Sequence, residues 1–373
     1  MQKLNRIKNI AIASVFLVII FGYTVAGIFY DAGDVLESER RVPASFPELS
    51  FDTIKDASFM NKLEDYIIDN FPMREGFRKI KALALFNVFL QKDNNSVYEV
   101  DGYLSKYEGT FSENSVIGAG KKFEKLAKGI LKDLNVYMAV IPDKNYFLAG
   151  ENGYPEYDYE RFVQLLKENA SSVEYIDLFD SVKLDDFYKT DLHWDQSKIG
   201  AVIDKLASEM GFVRADTEFK FNEKDGFYGN FAGQIALPVP SEKLTYLTST
   251  TLDAAKFYIM NEKTLQFEEA KMYDDADFEN VDPYDFFLNG PTALIKIVNE
   301  NCKSDKRLVL FRDSFGSSAA PLFVDGYSEV YIVDLRYMSS GSLPSLIELR
   351  PGDDALLLYS TAVLNNSGAL RVF

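Results

Sequence analysis

The sequence predicts an α/β domain: a mostly parallel sheet flanked by helices, with a small β insertion and an N-terminal transmembrane helix. Three observations carry that expectation. From residue 96 onward, short continuous apolar runs alternate with helical segments. Residues 10–30 contain no charge. The composition, 47% hydrophobic and 14% aromatic, fills a real core and is too apolar for a disordered chain.

Residues 1–8 (M-Q-K-L-N-R-I-K) hold Lys3, Arg6 and Lys8 and no acid. About 20 apolar residues cross a bilayer core, and flanking cations stay in the cytoplasm. This predicts a cytoplasmic tail over 1–8 and a signal-anchor over 9–30, with the rest outside a bacterial cell membrane. The competing reading is a cleaved signal peptide. The run is long for one, and no clear A-x-A site follows. Residues 31–50 read as a linker with two prolines. Phe59, Leu63, Tyr66, Ile67 and Phe71 then recur at helical spacing, Pro72 stops that helix, and R-E-G-F-R-K-I-K-A-L-A-L-F begins another. Residues 31–95 are thus a linker and helical stalk, and 96–373 the main domain.

Five buried strands are expected: 136–141 (V-Y-M-A-V-I), 173–177, 307–311 (R-L-V-L-F), 328–334 and 355–359 (A-L-L-L-Y). Continuous apolar strands separated by helices indicate a parallel sheet covered on both faces. Residues 243–297 fit less well. T-Y-L-T-S-T-T and K-F-Y-I-M-N-E-K-T-L-Q-F read as antiparallel strands, the second pair joined by an N-E-K-T turn, and suggest an insertion or small β-subdomain.

The net charge of -17 argues against nucleic acid, whose phosphates require a basic face. A neutral or cationic polymer remains a fitting partner. Cys302 stands alone, which excludes an internal disulfide and suits a bacterium that does not rely on oxidative folding outside its membrane. One cysteine and one histidine also argue against zinc. No metal and no other cofactor is expected.

Ligands of parallel sheets bind beyond the carboxyl ends of the strands. After R-L-V-L-F comes R-D-S-F-G-S-S-A-A, which places Ser314 on a strand-to-helix turn. Its hydroxyl needs a base to act as a nucleophile, and its N–H can stabilise an oxyanion. The chain has one imidazole to offer, His193, in F-Y-K-T-D-L-H-W-D-Q-S. Asp191 can fix the ring's tautomer, with Asp195 the second choice. The plainer reading of Asp-Ser after a strand is a helix cap. Trp194 is read as packing that fixes the loop.

T-D-L-H-W-D-Q-S-K-I-G-A resembles the D-x-H-W signature of the DHHW proteins and of the alginate O-acetylation proteins, whose domains are SGNH-hydrolase-like. Those proteins usually read T-D-H-H-W, and here Leu192 replaces the first histidine. F-R-D-S-F-G-S-S-A-A-P-L-F with V-Y-I-V-D-L-R-Y resembles their nucleophile block and next strand. D-N-F-P-M-R-E-G-F, V-Y-E-V-D-G-Y-L and V-I-P-D-K-N resemble their N-terminal region and strand end. The resemblance covers most of residues 60–360. It implies an SGNH-like fold with rearranged motif order, since the Asp/His pair precedes the serine.

The resemblance also implies a membrane-anchored O-acetyltransferase or acetylesterase acting on a cell-envelope or secreted polysaccharide. Ser314, His193 and Asp191 would be catalytic. Asn230 and Arg336 are candidates for oxyanion contacts and Lys144 for substrate; the plainer readings are a turn for Asn230, a salt bridge from Arg336 to Asp334 or a surface acid, and placement of a strand end for Lys144. A multi-pass membrane acyltransferase is the implied supplier of acetyl groups. A non-catalytic glycan-binding or scaffold protein of such an assembly is the other reading.

Overall fold

In a computed structural model describing residues 2–30, 32–36, 38–107, 109–214 and 218–373, helix α1 (Gln2–Phe29) takes up nearly all of the uncharged N-terminal run. Its segment Asn5–Gly27 is long and apolar enough to cross a membrane, and none of its residues is buried. The chain divides into two units. The first is Met1–Asn94 with Gly233–Pro238, and the second is Asn95–Ala232 with Val239–Phe373.

Further helices of the first unit follow among the described residues. They are α2 (Phe51–Lys55), α3 (Ser58–Asp69) and α4 (Arg74–Asn87). Ser50 caps α2 by accepting a hydrogen bond from the Thr53 N–H at 3.2 Å. Pro72 falls between α3 and α4, where no helical N–H is needed. Buried Asp69 ends α3 and receives both Nη atoms of Arg41 at 2.6 Å.

The second unit contains the strands β1 (Val97–Val100), β2 (Tyr103–Lys106), β3 (Asn135–Ile141), β4 (Glu174–Ile176), β5 (Lys220–Phe227), β6 (Glu242–Thr248), β7 (Lys256–Met260), β8 (Phe267–Glu269), β9 (Leu294–Val298), β10 (Arg307–Arg312), β11 (Glu329–Val333) and β12 (Asp354–Ser360). Eight form the main sheet in the order β4-β3-β12-β10-β11-β9-β7-β8. The first five are parallel to one another, and the last three pair antiparallel.

Side-chain alternation explains why both faces are covered. Leu308, Leu310, Leu356 and Leu358 enter one core, with Val202, Ile203 and Leu206 of α8 (Gly200–Met210). Val309, Phe311, Leu357 and Tyr359 enter the other, with α5 (Glu113–Lys128) and α7 (Tyr159–Asn169). Each such buried side chain stabilises the fold by about 2 kcal/mol. Between α5 and α7, a Cβ on Gly120 would meet Asn169 Cβ at 2.7 Å, so glycine permits that close approach. Helix α6 (Lys144–Asn152) follows β3 and is capped by Asp143.

Residues 243–297 divide their roles. T-Y-L-T lies in β6, which pairs with β5 as a separate two-stranded ribbon. β7, β8 and β9 instead extend the main sheet beyond β11, in the register Ile297 to Val330. Most of the expected insertion is therefore sheet edge, where it covers the ladder groups β11 would otherwise leave open.

Candidate active site

Ser314 follows β10 directly and opens the short helix Phe315–Ala319, with φ -60° and ψ -25°. Asp313 holds this turn. Its Oδ1 accepts the Phe315 N–H at 3.1 Å, and its Oδ2 accepts the Ser360 N–H and hydroxyl at 2.7 and 2.6 Å. The turn is thereby tied to the end of the neighbouring strand β12. A Cβ on Gly316 would lie 2.4 Å from Arg312 Cβ, so the sharp turn requires glycine there.

Asp191 and His193 sit on a tight excursion between Phe187 and Trp194, which bridge antiparallel. The Tyr188 N–H donates to the His193 carbonyl at 3.1 Å, and the Asp195 N–H to the Asp186 carbonyl at 2.7 Å. Trp194 ties this excursion to the serine's helix. Its Nε1 donates to the Phe315 carbonyl at 3.0 Å and to Ser318 Oγ at 2.9 Å. Gln196 adds a bond from Nε2 to the Ser318 carbonyl at 2.7 Å. Trp194 is fully buried and acts as that anchor.

These ties bring three side chains into line. His193 Nε2 lies 2.7 Å from Ser314 Oγ, and His193 Nδ1 lies 2.7 Å from Asp191 Oδ1. The same Asp191 oxygen accepts the His193 backbone N–H at 3.0 Å, and Oδ2 accepts the Asn230 N–H at 2.8 Å. With Asp191 ionised, Nδ1 carries the ring proton and Nε2 turns its lone pair to the serine. Asp191 and His193 are buried while Ser314 is only half-buried, so the relay is dry behind and open at the hydroxyl.

A residue that sequence reasoning missed completes the setting. The ring of Tyr284 stacks on the imidazole, with centroids 3.8 Å apart and planes 6° from parallel. Its hydroxyl donates to Ser318 Oγ at 2.8 Å. Burial pushes its pKa well above the usual tyrosine value, so it stays neutral beside the ring. Nothing in the spacing of D-P-Y-D-F-F signals this.

The other sequence candidates occupy distinct places. Asp195 accepts the Ser197 N–H and hydroxyl at 2.9 and 2.7 Å and serves as a turn cap. Lys144 is 2% exposed, and its Nζ donates to the Tyr188 and Lys189 carbonyls at 2.9 and 3.2 Å. These bonds hold the chain leading into Asp191. Burial pushes the Lys144 pKa down to about 7, against the opposing pull of Asp191 and Glu242. Arg336 grips Asp334 through Nε and Nη2 at 2.9 and 2.6 Å.

Asn230 opens the short helix Asn230–Ile235. Its side-chain Oδ1 is buried and has no hydrogen-bond partner among the described residues. The preceding Gly229 is pressed on the loop: a Cβ there would lie 2.1 Å from the Thr190 carbonyl carbon. Glu242 anchors the same loop, accepting the Lys189 and Thr190 N–H groups at 2.7 and 2.6 Å. No group of His, Cys, Asp and Glu suited to a metal ion occurs among the described residues.

No family model matches the chain, and a search of curated proteins finds no match. Solved structures do match. A DHHW family protein from Eubacterium siraeum superposes with a TM-score of 0.60 at 18% identity, covering 74% of this chain and 94% of that one. PatB1 of Bacillus cereus gives 0.58 at 19% identity, covering 72% and 96%. The same protein solved with a sulfonyl adduct gives 0.56 at 17% identity, covering 72% and 97%. The chain shares their fold: a mostly parallel sheet between helices.

Proposed function

We propose that this chain is a membrane-anchored serine O-acetyltransferase or acetylesterase acting outside the cell on a polysaccharide. The observation that carries the reading is the continuous relay from Asp191 through His193 to Ser314, with 2.7 Å at both steps. In it, Ser314 Oγ attacks the carbonyl carbon of an acetyl ester while His193 Nε2 takes the hydroxyl proton. Asp191 stabilises the imidazolium that forms. The carbonyl oxygen becomes an oxyanion, held by the Ser314 N–H at the helix start and by the Asn230 amide. Asn230 opens the short helix Asn230–Ile235 beside the Asp191 loop, and its side-chain Nδ2 is the donor it would offer.

The ester C–O bond then breaks, and His193 returns the proton to the departing alkoxide. An acetyl group is left on Ser314. A sugar hydroxyl or a water, deprotonated by His193, attacks this acetyl-enzyme and frees the serine. Lys144 and Arg336 act as positioning residues in this reading, the first for the Asp191 loop and the second for Asp334 beside the serine turn.

Helix α1 serves as the anchor, and a multi-pass membrane acyltransferase is the proposed source of the acetyl donor. A chain of net charge -17 suits a neutral glycan better than an anionic one. PatB1 was solved with a sulfonyl adduct, so a sulfonyl fluoride is a natural probe. Covalent labelling of the parent that is lost in Ser314→Ala and His193→Ala supports the reading. A folded parent that takes no label favours the glycan-binding or scaffold role instead.

A further inference from the structure

The first unit places apolar side chains at a depth where only lipid can meet them, if α1 is a membrane span; the inference rests on that reading. Tyr23 of α1 stacks on Phe71 with centroids 5.3 Å apart and planes 5° from parallel, and both rings contact Phe77. Pro72 packs on Gly27. The turn between α3 and α4 therefore lies against the last residues of the apolar segment Asn5–Gly27.

Helical rise sets the depth. Tyr23 lies about 6 Å, and Ile19 about 12 Å, along the axis before Gly27 at 1.5 Å per residue. The whole segment is about 35 Å long against a hydrocarbon core of about 30 Å. Both residues thus lie inside the outer half of the bilayer. Ile19, Ile20 and Tyr23 share one groove of about 870 Å³ with Leu63, Ile67 and Phe77 of the stalk helices.

The hairpin carries exposed apolar side chains both in that groove and beyond it. Ile67 is 54% exposed, Met73 67% and Ile80 63%. Water does not favour such a cluster on a free surface. Cations adjoin it: exposed Lys79 and Lys81 flank Ile80 on α4, while half-buried Arg74 and Arg78 are paired with Glu39 and Glu75. An amphipathic helix with basic residues beside an apolar face lies at the headgroup boundary of a bilayer. Asp69, the carboxylate nearest the turn, is neutralised by both Nη atoms of Arg41, as burial away from water demands.

We propose that the α3–α4 hairpin is embedded in the outer leaflet beside α1, with lipid acyl chains filling the groove and covering Ile67, Met73 and Ile80. The span and the hairpin then form one membrane-seated base.

The test uses the full chain in vesicles of phosphatidylcholine and phosphatidylglycerol. Cys302→Ser removes the native thiol, and single cysteines at Phe16, Ile67 or Ile80 carry an environment-sensitive fluorophore. Melting curves matching the parent certify folding of each variant. Labels at Ile67 and Ile80 should be quenched several-fold more by nitroxide lipids than by aqueous iodide, as should the Phe16 label in mid-span. Quenching at Phe16 by lipid but at Ile67 and Ile80 by iodide would overturn this inference alone. No lipid quenching at Phe16 would sink the anchor reading and this inference with it. Ready disulfide dimerisation through Ile80→Cys, with neither quencher effective there, would assign the face to a second copy and overturn the lipid proposal.

Discussion

The imidazole of His193 lies flat on the ring of Tyr284, at 3.8 Å between centroids. The Tyr284 hydroxyl reaches Ser318 Oγ, which also receives the Trp194 indole N–H. One serine thus fixes both the platform under the imidazole and the residue next to it. Tyr284→Phe keeps the platform and loses one buried hydrogen bond, at about 1 kcal/mol of stability. Tyr284→Ala frees the ring and should lower kcat on an activated acetyl ester by roughly 10–100-fold, as misplacement of a catalytic group does. Steady-state kinetics beside urea melts check both. Equal kcat in the two variants would deny the ring a positioning role.

Asn230 and Asp191 separate oxyanion binding from ring orientation. Asn230→Ala should reduce kcat by roughly 10²–10³-fold, the usual loss for one oxyanion donor. Its stability should stay close to the parent's, because the backbone N–H keeps its bond to Asp191 Oδ2 and the side-chain Oδ1 has no partner to lose among the described residues. Asp191→Asn should reduce kcat by about 10⁴-fold, since the ring loses the partner that sets its tautomer. The Asn230 N–H still finds an oxygen there, so the fold should hold. An Asn230→Ala enzyme at parental kcat would remove the residue from the site.

Lys144 makes a pH prediction with a definite sign. Its pKa falls from an ordinary 10.5 to about 7 in the fold, chiefly through burial. The folded chain then resists a proton that the unfolded chain holds. That penalty is full below about pH 7 and fades as pH rises towards 10.5, where the unfolded lysine also becomes neutral. Parent stability relative to Lys144→Met should therefore climb between these pH values. Urea midpoints taken across that window test it, and a flat or falling difference would contradict the assignment.

Gly229 touches backbone, so its substitution has no soft partner to displace. A Cβ at that position meets the Thr190 carbonyl at 2.1 Å. Gly229→Ala should push the Asp191 loop away from Ser314 and abolish most turnover. Gly226→Ala, whose Cβ meets open space but whose φ is +84°, should cost stability through backbone strain and leave turnover intact. Comparing the two by melting and by kinetics separates the local clash from general backbone strain.

The parallel part of the sheet was legible because its strands are buried on both faces and so read as unbroken apolar runs. Residues 307–311 and 355–359 are the clearest, and they became β10 and β12. β5 (K-F-N-E-K-D-G-F) escaped notice because an exposed ribbon can carry charges at nearly every position. β9 was read within an insertion because its partner β11 lies across a turn and another strand, beyond any local pattern. Ser314, His193 and Asp191 could be singled out because the chain has one imidazole, flanked by acids, and a serine just after a buried strand. Tyr284 could not, since its contact with His193 depends on tertiary packing between distant loops. The lysine of P-D-K-N is legible through the resemblance to a P-x-K strand end, but its bonds to the Tyr188 and Lys189 carbonyls depend on tertiary packing.

The central claim is that Ser314 becomes acetylated with His193 as its base. Its most direct test is peptide mass mapping of the protein after brief exposure to p-nitrophenyl acetate and an acid quench. The account predicts one acetyl group on Ser314 in the parent and none there in Ser314→Ala or His193→Ala. A folded parent without acetyl on Ser314, or equal acetylation of that serine in His193→Ala, would contradict it.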